Sequence, residues 1–185
     1  AHTEMCSLHM DSSNSSPEQM VVQSLFADGH IKYSVVNDDS LSNKGFALIA
    51  IKEAVIPGTT LMMSWTPVEW GLSMTLSREV PGKIRDHIKP FLEKLCQEAN
   101  LDLATILKKA VFAIHPGGPQ IIDTVHNILE LSDEQSRASG EVLFERGNMS
   151  SATLPHVWQK LSNQGLSNGQ MVVSLAFGPG LTIFG

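Results

Sequence analysis

Val111-Phe112-Ala113-Ile114-His115-Pro116-Gly117-Gly118-Pro119 is the stretch that decides the fold. Its first four residues form a short continuous apolar run and read as a buried strand. The run ends in a turn built on Pro and Gly, and Pro119 suits the first turn of a helix whose continuation places Ile122, Val125 and Leu129 inward. A buried strand feeding an amphipathic helix is a unit of α/β layer architecture. His115 then stands at the carboxyl end of a strand, where ligands usually meet such sheets, and is a site candidate. Position alone equally allows a histidine that caps the strand end and bonds a nearby carbonyl. Gly117 and Gly118 favour the site, because they let backbone amides approach a ligand and leave the imidazole uncovered.

The alternation extends in both directions. Downstream, Ser132 is an N-cap for a helix with Asp133 and Glu134 in its first turn, favoured there by the helix dipole. Gly147-Asn148 follows as a turn. Ser150 or Ser151 caps a further helix with Leu154, Trp158 and Leu161 on one face, and Pro155 falls in its first turns, where a missing donor does least harm. Residues 171–177 read as a strand, Gly178-Pro179-Gly180 breaks it, and residues 181–184 begin another. Upstream, residues 82–101 carry Ile84, Ile88, Phe91, Leu92 and Leu95 at helical spacing, with a kink expected at Pro90. Residues 46–56 and 60–64 read as strands separated by Pro57-Gly58, and residues 37–43 as a loop. Before them come a strand over 31–36, the turn Ala27-Asp28-Gly29 and the apolar run 20–26. The polar loop 11–16 divides off a short leading strand over 4–10.

The 185 residues, 42% of them apolar, suffice for one sizeable core, so one domain is expected. No apolar run approaches the roughly 20 residues that cross a bilayer, so a soluble chain without a membrane partner is expected. With 13 Lys and Arg against 19 Asp and Glu, the net charge of -6 disfavours nucleic acid or an anionic membrane surface, which demand clustered cations. Cys6 and Cys96 are the two cysteines and form no paired motif, which fits a reducing cytoplasm. No secretory signal is visible at the start. His9, His30, His87, His126 and His156 show no paired spacing with carboxylates, so no metal is expected.

Asn148 lies between Gly147 and a helix start, where its side-chain amide can be held rigidly beside helix-terminal N–H groups and serve an oxyanion. Read alone, an Asn after a Gly is more often a turn former.

Several local motifs in order alter both readings. His115-Pro116-Gly117-Gly118-Pro119, Gly147-Asn148-Met149-Ser150-Ser151-Ala152 and Phe177-Gly178-Pro179-Gly180-Leu181-Thr182 closely resemble signature segments of the chalcone and stilbene synthases. Leu25-Phe26-Ala27-Asp28-Gly29 and Glu79-Val80-Pro81-Gly82 are similar to two more. The resemblance covers about residues 4–183.

The resemblance implies a thiolase-like α/β fold of two similar halves, of which this chain is the second, with a mixed sheet packed against helices. Residues 1–16 would be the tail of the preceding half and 17–185 the carboxyl-terminal domain. The family condenses malonyl-coenzyme A onto an acyl starter held on a cysteine, uses coenzyme A thioesters as substrates and needs no permanently bound cofactor. By resemblance, His115 and Asn148 are its catalytic His and Asn, and Phe26 and Met74 its gatekeepers. Ser150, Phe177, Gly178 and Pro179 would shape the cavity, with His9 and Trp65 making it smaller or more polar. Gly117, Gly118 and Gln120 would contact coenzyme A.

The nucleophilic cysteine is expected in the missing amino-terminal half, because neither Cys6 nor Cys96 has a cationic neighbour or a helix start to activate it. The full-length protein is expected to be a cytoplasmic homodimer, and this chain alone inactive. Two rivals remain: an initiating ketoacyl-carrier-protein synthase, with a less glycine-rich segment after its His, and a non-catalytic thiolase-like binding module.

Overall fold

The strand over Val111–Ile114 (here β6) forms as the sequence predicts, and the fold is most simply built outward from it. A computed structural model describes residues 1–37 and 45–185. In chain order the other elements are β1 (His2–Glu4), α1 (Pro17–Leu25), β2 (Gly29–Ile31), β3 (Glu53–Val55), β4 (Met63–Val68), β5 (Gly71–Leu76), α2 (Val80–Glu98), α3 (Leu103–Lys109), α4 (Pro119–Ile128), α5 (Asp133–Arg146), α6 (Thr153–Asn163), β7 (Val172–Gly178) and β8 (Thr182–Phe184). Single 3₁₀ turns occupy Cys6–His9 and Ser150–Ala152.

Four strands form a mixed sheet in the order β3-β8-β7-β6, with β6 parallel to β7 and the other pairs antiparallel. Alternation along the strands divides the core between the two faces. Phe112, Ile114, Val173 and Leu175 join Ile84, Ile88 and Leu92 of α2 and Val125 of α4 on one face. Ala113 and Val172 join Ala138 and Val142 of α5 and Val157 and Leu161 of α6 on the other. Helices therefore cover the sheet on both sides.

At the sheet edge, α5 ties down β6 and the end of α3 that leads into it: the Ile114 N–H donates to Ser139 Oγ at 2.9 Å, and Gln135 Nε2 donates to the α3-terminal carbonyls of Leu107 and Ala110, each at 2.8 Å. A buried edge strand is stable only with such partners. Ser132 caps α5 as expected, in a reciprocal capping box with Gln135.

Two antiparallel ribbons lie outside the main sheet, β1 with β2 and β4 with β5. The second docks on α1, where the Leu76 N–H donates to Glu18 Oε1 at 2.7 Å.

Several expectations are corrected. The leading strand over 4–10 becomes a three-residue strand followed by the Cys6–His9 turn. The strand over 31–36 ends at Ile31, and that over 46–56 is reduced to Glu53–Val55 because Leu48, Ile49 and Ile51 remain exposed instead of pairing. The helix expected over 82–101 is α2, which runs without interruption through the exposed Pro90. The cap expected at Ser150 or Ser151 falls on Ala152, because a 3₁₀ turn over Ser150–Ala152 delays the start of α6 to Thr153. β5 and α3 were not foreseen. The expected loop over 37–43 lies, beyond Asn37, outside the described residues. No helix among the described residues is long and apolar enough to cross a membrane.

Candidate active site

His115 takes its place from the sheet. Its N–H donates to Leu175 O at 2.7 Å, continuing the β6–β7 pairing one residue past the strand, and its carbonyl accepts from Gly117 N–H at 2.8 Å. The tight turn lays the imidazole over the Gly117 backbone: a Cβ there would stand 3.6 Å from His115 Cδ2 and 3.7 Å from Nε2. The ring is half-buried, and neither nitrogen has a hydrogen-bond partner among the described residues. Removal of water from around it pushes its pKa down to about 4, so the imidazole is neutral at physiological pH.

Asn148 is buried and tied to three elements. Its backbone N–H donates to Leu25 O at 2.8 Å and its carbonyl accepts from Ala27 N–H at 2.9 Å, a parallel bridge opposite Phe26. Gly147 makes this approach possible: it has φ +71°, and a Cβ would stand 3.1 Å from Leu25 O. The side-chain Oδ1 accepts from Ser150 N–H at 2.9 Å, which orients the amide so that Nδ2 reaches Gly117 O at 3.3 Å. An amide nitrogen carries two protons, so one N–H remains for a ligand. His115 and Asn148, 33 positions apart by their numbers, thus both pack on one residue, Gly117.

Ser150 adopts the left-handed region at φ +50°, a conformation that costs a non-glycine residue about 1–2 kcal/mol. Thr153 helps to hold it: its Oγ1 donates to Ser150 O at 2.8 Å and accepts from Met149 N–H at 2.8 Å. Sequence reading missed Thr153. A hydroxyl at the first position of α6, five residues after the Asn, was the available signal.

A second cluster forms beside this pair. Trp65 and Met74 are directly opposite in the β4–β5 register, so their side chains share one face of the ribbon. Trp65 Nε1 donates to His9 Nε2 at 2.9 Å, and Phe26 meets the His9 ring edge-on, with centroids 5.3 Å apart. Cys6, His9, Val22, Phe26 and Ala27 line a cavity of about 230 Å³. His9 is buried, and its backbone carbonyl is held by Gln19 Nε2 at 2.7 Å, a contact the sequence did not suggest.

The remaining candidates lie elsewhere. Phe177 packs against the main core, and Gly178 and Pro179 sit at the β7–β8 turn; none of the three lines the His9 cavity. Gly117 and Gly118 form the turn into α4, and Gln120 is exposed in its first helical turn. Cys6 is buried, and burial together with Glu4 and Asp28 pushes its thiol up to about 11. Cys96 is likewise buried within α2, with its pKa raised mainly by desolvation.

The family model described as chalcone and stilbene synthases, C-terminal domain, matches residues 47–185. Among curated proteins, the chain is 31% identical to "Type III polyketide synthase C" of Arabidopsis thaliana over 91% of its length and 45% of that protein. It is also 31% identical to "Probable polyketide synthase 1" of Dictyostelium discoideum, over 99% of this chain and 6% of that protein. Among solved structures, the C-terminal type III polyketide synthase domain of Steely1, a type I/III hybrid from Dictyostelium, superposes with a TM-score of 0.82 at 28% identity, covering 98% of this chain and 50% of that one. The chain belongs to the chalcone and stilbene synthase family of type III polyketide synthases. It carries the carboxyl-terminal domain of that family, in a thiolase-like α/β fold. It spans less than half the length of these curated relatives.

Proposed function

We propose that this chain supplies the neutral hydrogen-bond donors for decarboxylative condensation of malonyl-coenzyme A onto an acyl starter carried by a cysteine of the preceding half. Loss of carbon dioxide from a malonyl thioester leaves an enolate, whose charge collects on the thioester oxygen. Two uncharged donors aimed at that oxygen stabilise it by several kcal/mol once water is excluded. The enolate carbon then attacks the acyl-cysteine carbonyl, and the cysteine thiolate leaves. The observation that carries the reading is the Asn148 amide: its oxygen is fixed by Ser150, and one N–H is left over beside a neutral, unpartnered His115.

A neutral imidazole also suits a neighbouring thiol. When a cysteine is seated beside His115, the thiolate favours the imidazolium and the two form an ion pair, which activates the nucleophile for starter loading. The thiols of this chain do not suit that role, since burial holds both in the protonated form. The chain alone is therefore inactive, and the whole protein acts as an acyltransferase. Phe26 and Met74 gate the cavity, Gly117, Gly118 and Gln120 meet the coenzyme A arm, and Ser150, Phe177, Gly178 and Pro179 support the cavity wall. A homodimer in the cytoplasm accords with the family resemblance.

The test uses the whole protein that carries this chain. Asn148→Ala should slow malonyl decarboxylation by about 10²–10³ while sparing acyl transfer to the cysteine. His115→Ala should impair both steps. Equal losses of both steps in the Asn148 variant would refute this division of labour.

A further inference from the structure

One buried hydroxyl governs the direction of Asn148. A peptide unit is flat, so holding its carbonyl and its N–H fixes the whole plane. The plane that joins Asn148 to Met149 is held at both edges: its carbonyl accepts from Ala27 N–H at 2.9 Å, and its N–H donates to Thr153 Oγ1 at 2.8 Å. No other acceptor among the described residues takes the Met149 N–H. Thr153 has no exposure, and Asn148 and Met149 are buried around it, so water cannot replace a lost bond there.

The same oxygen acts on the side chain. A threonine hydroxyl carries one proton and can accept as well as donate. Its proton goes to Ser150 O at 2.8 Å, a carbonyl that also accepts from the Thr153 N–H, in a residue standing at φ +50°. The plane between Met149 and Ser150 therefore lies between two that Thr153 holds, and its N–H points onto Asn148 Oδ1 at 2.9 Å. Thr153 Oγ1 itself lies 3.4 Å from that oxygen. A flipped amide would turn Nδ2 toward the Ser150 N–H and Oδ1 toward Gly117 O, setting donor on donor and acceptor on acceptor. The orientation that leaves an Nδ2 proton free thus depends on the Ser150 N–H staying in place.

We propose that Thr153 is a positioning residue for malonyl decarboxylation: its hydroxyl, enclosed and out of reach of substrate, acts through Asn148 by aiming the free Nδ2–H at the enolate oxygen. This inference rests on the donor role proposed for Asn148 and adds the group on which that role depends.

The experiment uses the whole protein and reads two steps separately, decarboxylation of malonyl-coenzyme A and transfer of the hexanoyl group from hexanoyl-coenzyme A to the cysteine. Thr153→Val, close in shape but without the hydroxyl, should lower the decarboxylation kcat about tenfold, with KM and hexanoyl transfer changed less than about twofold. Thr153→Ser keeps the hydroxyl and should restore most of the rate. Thr153→Val added to Asn148→Ala should cause no further loss of decarboxylation, because the group it positions is gone. An equal loss in both backgrounds would make Thr153 a structural residue only and overturn the inference. Hydrogen exchange in the unsubstituted protein should find the Met149 and Ser150 N–H groups protected. If either exchanges like a free loop amide, the clamp is absent and the inference fails, whatever the variants do. If Asn148→Ala slows decarboxylation and Thr153→Val does not, this inference alone fails. If Asn148→Ala leaves decarboxylation intact, the donor role falls and this inference with it.

Discussion

The two sides of the site are built from different materials. His115 and Asn148 hang on backbone: a sheet hydrogen bond to Leu175, a bridge across Leu25 and Ala27, and a turn closed on Gly117. Behind them Phe112, Ile114, Leu175 and Val125 are fully enclosed. The His9 side depends on side chains meeting from a 3₁₀ turn, the end of α1 and a two-stranded ribbon in which residues 66–70 are exposed and Met74 is the buried member. The difference separates precision from adaptability. Backbone contacts hold His115 and Asn148 to a fixed geometry, while a wall made of side chains can change its shape and polarity by single substitutions.

Removing support from the first side should have the largest effect. Phe112→Ala, which empties a site with no exposure between α2 and the sheet, should cost about 3–5 kcal/mol of unfolding free energy in urea titration. A loss under about 1 kcal/mol would show that the sheet face can collapse around the gap, and the contrast between the two sides would weaken.

A smaller effect belongs to His115 itself. Its folded pKa of about 4 lies below the ordinary 6.5, so the unfolded chain binds the extra proton first as pH falls. Stability from this group is complete above pH 6.5 and is lost progressively as pH falls from 6.5 toward 4, by up to about 3 kcal/mol. Urea midpoints across that interval should fall, and His115→Gln should flatten the slope. An unchanged slope in the variant would assign the acid sensitivity to other groups, such as His9 or His156, whose pKa values burial also lowers.

The smallest stability effect should come from the second side. Trp65→Gly removes a half-buried indole from the ribbon and should cost no more than about 1–2 kcal/mol, yet it should shift products toward longer or bulkier polyketides as read by mass spectrometry. An unchanged product profile with a large loss of stability would reverse the assignment and make Trp65 a structural residue.

The same division governs what the sequence revealed. β6, α4, α5 and β7 were legible because each carries a strong local signal: a continuous apolar run, an amphipathic repeat, or Ser132 with the acidic first turn that follows it. Asn148 and His115 were legible mainly through motif resemblance, since an Asn after Gly and a His before Pro have commonplace structural uses. The β4–β5 ribbon was half-missed. Thr60 to Ser64 was read as a strand, but Gly71 to Leu76 alternates too weakly to signal pairing, and the pairing depends on its partner strand rather than on its own composition. α3 was missed because seven residues make too short a periodic pattern, although Asp102 caps it through Thr105. The Trp65–His9 bond spans 56 positions, and no local rule points to it.

The bridge between Phe26 and Asn148 has a consequence for how such proteins diversify. It is made of main-chain groups alone, so it is indifferent to which side chain stands at position 26. A lineage can therefore exchange Phe26 for a smaller or more polar residue and inherit the amide geometry of Asn148 intact. The constraint falls instead on Gly147, where any side chain would press against the carbonyl of Leu25 in a conformation that L-residues resist. Drift is free at Phe26, the proposed gate, and arrested one step before Asn148, the proposed amide donor.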